Sequence, residues 1–386
     1  MALSARHTML LTFATFGAIV GTHVGALPFV VRNSNVTAYE FGMVGSLGML
    51  ANITAMSIGG WVNRHFDHRS VLLVILPLCF FAMLYTLVVQ SLVSFGFSVI
   101  CLSFALGTMD LFMNAEGSAV EHESGTTIFS AYHGSASLGI ALFAIISSLV
   151  SAWLAPWFGA LFAVVPVVVT LAAIFQSIPK RAVERHHATP TRVLLPYRTL
   201  TFIGLAAGFN VTCEGAATLW AGQLLVDIAP QLAAYSGLGV AFYGLCGGVM
   251  RLVGDRLRLR HGDERIMIAS LSVAVTGFSI LSIAPGFAIS VLAFAGVGFG
   301  LAIVFPCLFS LAAKLVPEGR AAAMSYVATI GGIPRVILPF ILGWLAQMFS
   351  LGAVFAACAV VALAAAIIIV TTFAKIDGAL PLRNAP

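Results

Sequence analysis

Asp110, Asn114 and Glu121 stand at i, i+4 and i+11 of an otherwise apolar stretch, and on a helix they fall within about 40° of one another. Asn210, Glu214 and Thr218 repeat the device at i, i+4 and i+8, interleaved with small residues that let a helix or a small molecule come close. An ionised side chain in the middle of a hydrocarbon layer costs roughly 2.5–3.5 kcal/mol on insertion scales, so each needs a partner, water or a neutral form. A carboxylate so placed can take up and release a proton, which makes Asp110 and Glu214 the candidates for proton coupling. Asp110 could equally fix helix packing, against His133 for instance, or hold an ion pair. Glu121 reads as a gate or helix-end residue.

Arg335 follows Gly331-Gly332-Ile333-Pro334, where the proline removes a helical hydrogen bond and predicts a bend. Its guanidinium has three readings: a ligand for an anionic solute, a partner for a carboxylate, or a snorkel to the surface. His23 and His133 either relay protons near neutral pH or serve as hydrogen-bonded packing residues. Trp220 and Gln223 could stack on and hydrogen-bond a polar ring, or Trp220 could be an interfacial anchor. At 1.5 Å per residue, Glu214 lies about 21 Å into its span and His23 about 22 Å into the first. Neither histidine has Cys or Glu at ligand spacing, which disfavours a metal site. No Gly-rich phosphate loop ends in Lys-Ser/Thr and no Ser/His/Asp set has a plausible setting. Those absences argue against an enzyme, against ATP-driven work within this chain, and imply no cofactor.

The elements that must position these residues follow from composition. Of 386 residues, 60% are hydrophobic and 9% charged, too few charges to coat a soluble protein of this length. Apolar runs are expected to cross a bilayer at 9–31, 39–62, 71–89, 92–117, 127–152, 156–178, 200–226, 234–253, 266–284, 287–315, 322–348 and 351–374. The fold class is therefore an all-α membrane protein of 12 spans. The six cysteines all fall inside these runs and read as packing residues. Of the 19 Lys and Arg, all but Arg32 and Arg335 belong to one side, which predicts cytoplasmic termini in a cell inner membrane. The net charge of +5 thus reports topology, and no basic patch interleaved with aromatics supports nucleic-acid binding. A polar stretch with Pro190 and Pro196 divides the chain into an N-terminal bundle (1–178), a cytoplasmic linker (179–199) and a C-terminal bundle (200–386). Glycines and charges after span 2 recur loosely after span 8, the internal duplication common among secondary transporters.

The loop Gly59-Gly60-Trp61-Val62-Asn63-Arg64-His65-Phe66-Asp67-His68-Arg69 resembles the loop motif of the major facilitator superfamily, with Asn63 and Phe66 where that family usually has Asp and Gly. A second copy is Gly254-Asp255-Arg256. The segment Asp110-Leu111-Phe112-Met113-Asn114-Ala115-Glu116, continuing to Tyr132-His133-Gly134, resembles the bacterial YbjJ-like branch, as do Glu214-Gly215-Ala216 with Trp220 and Pro339 to Trp344. The resemblance implies two pseudo-symmetric six-helix bundles with spans 1, 4, 7 and 10 lining a central cavity. Together with the residue readings above, solute contacts are expected from His23, Asn114, Asn210, Thr218, Trp220, Gln223 and Arg335, the last without a counterpart fixed in the family pattern, and gating from Glu121, His133, Asn63, Arg64, Asp255 and Arg256. Leu219 replaces an acidic residue common in that branch, so a solute contact differs. The implied partners are a small polar solute, sugar-like or a small organic acid, protons and lipid, with the chain a monomer. Two alternatives stay open: export of amphipathic drugs or metabolites, and ligand sensing without transport.

Overall fold

The computed structural model describes residues 3–125, 128–180 and 195–379, and all regular structure among them is helical. The first half comprises α1 (Ala5–Asn33), α2 (Ala38–Val62), α3 (His68–Val88), α4 (Leu92–Ser124), α5 (Phe129–Trp153) and α6 (Phe158–Ser177). The second comprises α7 (Tyr197–Leu219), the short α8 (Ala221–Ile228), α9 (Gly237–His261), α10 (Asp263–Ser282), α11 (Phe287–Leu301), α12 (Val304–Leu315), α13 (Arg320–Met348) and α14 (Leu351–Ala379). Twelve helical spans are long and apolar enough to cross a membrane, α11 and α12 together forming the tenth. Their outward faces carry Val74, Phe81, Phe162 and Val360, all exposed, as expected where lipid is the solvent.

Local signals set the helix ends. Thr37 and Glu40 form a reciprocal capping box at the start of α2. Asp67 caps α3 by accepting the Ser70 amide at 3.0 Å and the Ser70 hydroxyl at 2.7 Å. Burial pushes the Asp67 carboxyl upward, but those two bonds and the nearby Lys180 charge hold it below the usual range. α4 runs beyond the expected end at 117 to Ser124, where Gly125 adopts a left-handed φ of 64° that closes the helix. The expected seventh span divides at Trp220 into α7 and α8, and the tenth breaks at 302–303. α13 runs unbroken as a helix through Pro334 and Pro339. Most of the expected linker, residues 181–194, lies outside the described residues, and α7 already begins at Tyr197.

Close helix approach within each half depends on small residues. Gly17, Gly21 and Gly25 line the face of α1 that meets the α5 backbone at Ala136, Ile140 and Ala144. The second half repeats this where α7 meets α13: a Cβ on Gly208 would stand 2.5 Å from the Gly331 carbonyl oxygen. α2 packs on α4 as α9 packs on α11, completing the pseudo-symmetry.

The halves meet through α2 with α13 and through α5 with α9. α1, α3, α5, α7 and α13 begin on one face of the bundle, here the linker face, and α2, α4 and α9 begin on the far face. The far face is tightly closed: Gly42 abuts Gly343, Tyr39 meets the Phe340 ring at 5.3 Å, and the Ser148 hydroxyl donates to the Ala234 carbonyl at 3.1 Å. Nearer the linker face, α4 and α12 make no extensive contact with the opposite half. The bundle is thus closed on the far face and open towards the linker face.

Candidate functional site

The two polar stripes lie on helices that face each other across the open space. On α4, the Asn114 amide nitrogen donates to the Asp110 carboxylate at 2.9 Å and to its backbone carbonyl at 2.7 Å. Asp110 is therefore held by its own helix rather than by His133. On α7, the Asn210 amide donates to Glu214 Oε1 at 2.8 Å, and the Thr218 hydroxyl donates to the Glu214 carbonyl at 2.7 Å. The i, i+4 spacing brings each amide one turn from its carboxylate.

Two guanidiniums complete the arrangement. Arg251 Nη2 of α9 stands 3.9 Å from Glu214 Oε2. Arg335 of α13 lies within electrostatic reach of both Glu214 and Asp110, the latter across the interface between halves. Its Nη2 donates to Asn52 Oδ1 of α2 at 3.3 Å, and Asn52 in turn donates to the Ser103 carbonyl of α4 at 3.2 Å. Tyr243 of α9 lies within reach of Glu214 and Arg251, and His133 of α5 within reach of Arg251. Glu214 sits about 26 Å from the start of α7, yet its side chain is 23% exposed and that of Arg251 is 33% exposed. Groups so deep stay accessible because the space between the halves is open.

The other expected solute contacts are distributed more widely. His23 of α1 is buried with Nδ1 unpartnered, and Asn210 Oδ1 and Gln223 Nε2 are likewise buried without a hydrogen-bond partner. Trp220 is buried at the far face, its ring edge-on to Phe41 with centroids 4.7 Å apart, so it plugs the seam between the halves.

Among the expected gate residues, Glu121 Oε2 accepts the backbone N–H groups of Ile128 and Phe129 at 2.6 and 2.5 Å, capping α5 from the end of α4. His133 is wedged edge-on between Phe13 and Phe129. Asn63 Oδ1 lies 2.7 Å from His68 Nε2, and His68 Nδ1 lies 2.9 Å from the fully buried Glu116, tying the loop after α2 to α4. Asp255 pairs with Arg258 at 3.2 Å, and Arg258 also binds Asp263 at 2.8 Å, which Lys314 holds at 2.9 Å. Arg64 and Arg256 are exposed.

Sequence reasoning missed Arg251, Asn52, Tyr243 and the Glu116–His68 pair as site members. Arg251 counted there as an orientation charge, because the eighth span was expected to end at 253. α9 continues to His261, which puts Arg251 about 15 Å inside the helix end. A long helix with an arginine well inside it was the available signal.

Twelve spans in two pseudo-symmetric halves, closed on one face above a charge cluster, have the architecture of membrane transporters. Residues 200–385 match the model of the Major Facilitator Superfamily. An uncharacterised MFS-type transporter of Yersinia pestis is 22% identical over 357 residues, 92% of each chain. A mutant of the nucleoside transporter NupG superposes with a TM-score of 0.78 at 14% identity, covering 96% of this chain and all of that one. A bacterial homologue of the lysosomal transporter Spinster, in an inward-facing and occupied conformation, superposes with a TM-score of 0.71 at 11% identity over 95% of this chain and 96% of its own. The second half of the chain is thus similar in sequence to that superfamily, and the whole chain shares the fold of these transporters.

Proposed function

We propose that the chain moves a small polar organic solute by alternating access, coupled to protons at Asp110 and Glu214. The observation that carries this reading is the position of Arg335, within reach of a carboxylate from each half. A rocking motion of the halves would change the distance from Arg335 to Asp110 while Glu214, in the same half as Arg335, moves with it, so protonation and conformation become linked. The closed far face and open linker face correspond to one end of such a cycle. With the basic loops retained in the cytoplasm, the linker face is the cytoplasmic one and the described state faces inward in the inner membrane. The halves 1–178 and 200–386 are the moving bodies, joined by 179–199, and the chain works as a monomer of the YbjJ-like branch. Asn114, Asn210, Thr218 and His23 line the solute path, with Trp220 and Gln223 at its far end.

Purified protein in liposomes with an imposed pH gradient tests the reading. Asp110→Asn and Glu214→Gln should each abolish uphill accumulation of a carried solute while leaving equal-concentration exchange. Undiminished uphill transport in both variants refutes the assignment.

A further inference from the structure

The four charges of the central cluster sum to zero: Asp110 and Glu214 against Arg251 and Arg335. Their hydrogen bonding is less even. Each carboxylate already accepts a neutral amide from its own helix, Asn114 or Asn210. The guanidiniums have five N–H donors apiece. Among the described residues they make one hydrogen bond, the 3.3 Å contact from Arg335 to Asn52, and Arg335 Nε is buried without a partner. Arg251 is 3.9 Å from Glu214, an ion-pair distance rather than a hydrogen bond. The site therefore has unengaged donors on two cations, whereas each carboxylate already holds one amide bond. Water and hydroxyls can occupy such donors, but a bidentate oxyanion matches the planar fork far better.

Charge balance then restricts how an anion can enter. A carboxylate added to a neutral cluster leaves one uncompensated negative charge once the halves close around it, which is costly. The cost disappears if one carboxylate of the site is protonated at the same time. Glu214 is the group so placed, since Arg251 and Tyr243 face it from α9 and Arg335 from α13, whereas Arg335 is the one charged group facing Asp110 among the described residues. Protonating Glu214 leaves the charge of the two guanidiniums facing it without that counter-ion, which a solute carboxylate then supplies, with Asp110 as the remaining fixed anion.

We propose that the solute is a small organic carboxylate, held by Arg335 and Arg251 and carried with one proton that resides on Glu214, so that each cycle is electroneutral. This rests on the transport reading above and narrows it. Before binding, two guanidiniums face two carboxylates. After binding they face Asp110 and the solute carboxylate, with Glu214 neutral. The proton and the anion leave together on the other side, and the original pairing reforms.

The test uses the full chain in proteoliposomes containing a trapped pH dye, with the monocarboxylates lactate, gluconate and pyruvate offered beside the neutral sorbitol and glucose. Gluconate and sorbitol share a six-carbon polyol chain and differ by a carboxylate in place of one terminal hydroxymethyl group. The expected result is that at least one acid enters and acidifies the lumen, with a rate unchanged when valinomycin and potassium set the membrane potential. Arg335→Gln should lower acid uptake by roughly 10- to 150-fold, the loss of a charge-assisted hydrogen bond, with Arg335→Lys recovering part of it. Glu214→Gln should still exchange labelled acid but no longer acidify the lumen. Entry of sorbitol or glucose without entry of any acid overturns this inference and leaves the transport reading standing. Acid entry that follows the membrane potential also overturns it. No flux of any of the five compounds overturns both.

Discussion

Substituting Gly343 by Val tests whether the far-face seam is a closed gate. A Cβ at this position would stand 2.6 Å from Gly42 Cα and 2.8 Å from the Ala38 carbonyl oxygen. Both are backbone atoms of α2, so no rotamer change relieves the clash. α2 and α13 must separate by about 1 Å to reach ordinary contact distances of about 3.5–4.0 Å. Overpacking of this kind costs roughly 1–3 kcal/mol. In a state with the far face open the methyl groups meet water or lipid, so the cost falls almost wholly on the closed state. The closed population should then drop relative to the open one by roughly 5- to 160-fold. A reporter cysteine at Ser236, fully buried on the same far face where the start of α9 meets α5, reads the change as its rate of reaction with a membrane-impermeant maleimide added from the far side. The same substitution at Gly332, lower on α13, is the control, because its Cβ would meet only the side-chain end Cδ1 of Ile53, at 3.3 Å, and not backbone. Gly343→Val should raise the labelling rate and Gly332→Val should leave it near the parent value. Equal rates in all three proteins, each folded by elution profile, would refute the argument.

Other expectations follow from single contacts. Glu121→Ala removes the acceptor for the first two amides of α5 and should cost about 0.5–2 kcal/mol, seen as a lower unfolding temperature in detergent. Asp67 gives a pH dependence of known sign: its folded carboxyl is held below the usual range, so the stability it contributes is present above the ordinary carboxylate pKa and lost as pH falls through the depressed value. Asp67→Asn should flatten the acid limb of a melting-temperature profile, and an unchanged limb would show that the cap does not titrate there. Phe41→Ala should lose about 0.5–1.5 kcal/mol of edge-to-face contact with Trp220, and double-mutant cycles with Trp220→Ala should recover that coupling.

Much of the fold was legible because its causes are local. Twelve apolar runs of sufficient length follow from hydrophobicity alone, and all twelve are present as helices. Helix ends were less legible. α4 extends past Gly117 because that residue is enclosed by Tyr132 and Phe13, a tertiary contact, and the true stop is the left-handed Gly125. The break at Trp220 is also tertiary, since nothing in the residues 217–223 forbids a continuous helix, whereas the edge-on contact with Phe41 fixes the ring at the seam. The α1–α5 and α7–α13 contacts use glycines at helical spacing, but which helix each row faces depends on the bundle.

The site divided along the same line between local and tertiary causes. The pairs Asp110–Asn114 and Asn210–Glu214 are one helical turn apart, so their spacing announces them. Arg251 was hidden because a charge near the end of an apolar run serves topology equally well, and depth distinguishes the two roles only once the helix length is known. Asn52 was hidden more deeply: an amide among Gly48, Ala51 and Thr54 has no local mark, and its importance comes from Ser103 on α4 and Arg335 on the other half. Among the described residues, that position makes it the one hydrogen-bonded bridge from the cluster to α2. Asn52→Leu keeps the volume but removes the acceptor, so it should free Arg335 from the first half without altering any charge. If the bridge helps to hold the described state, Asn52→Leu should raise far-side labelling at Ser236→Cys, as Gly343→Val does, although it lies well below the seam. Labelling identical to the parent would mean that the closure of the far face does not depend on the charge cluster, and that the two devices act independently.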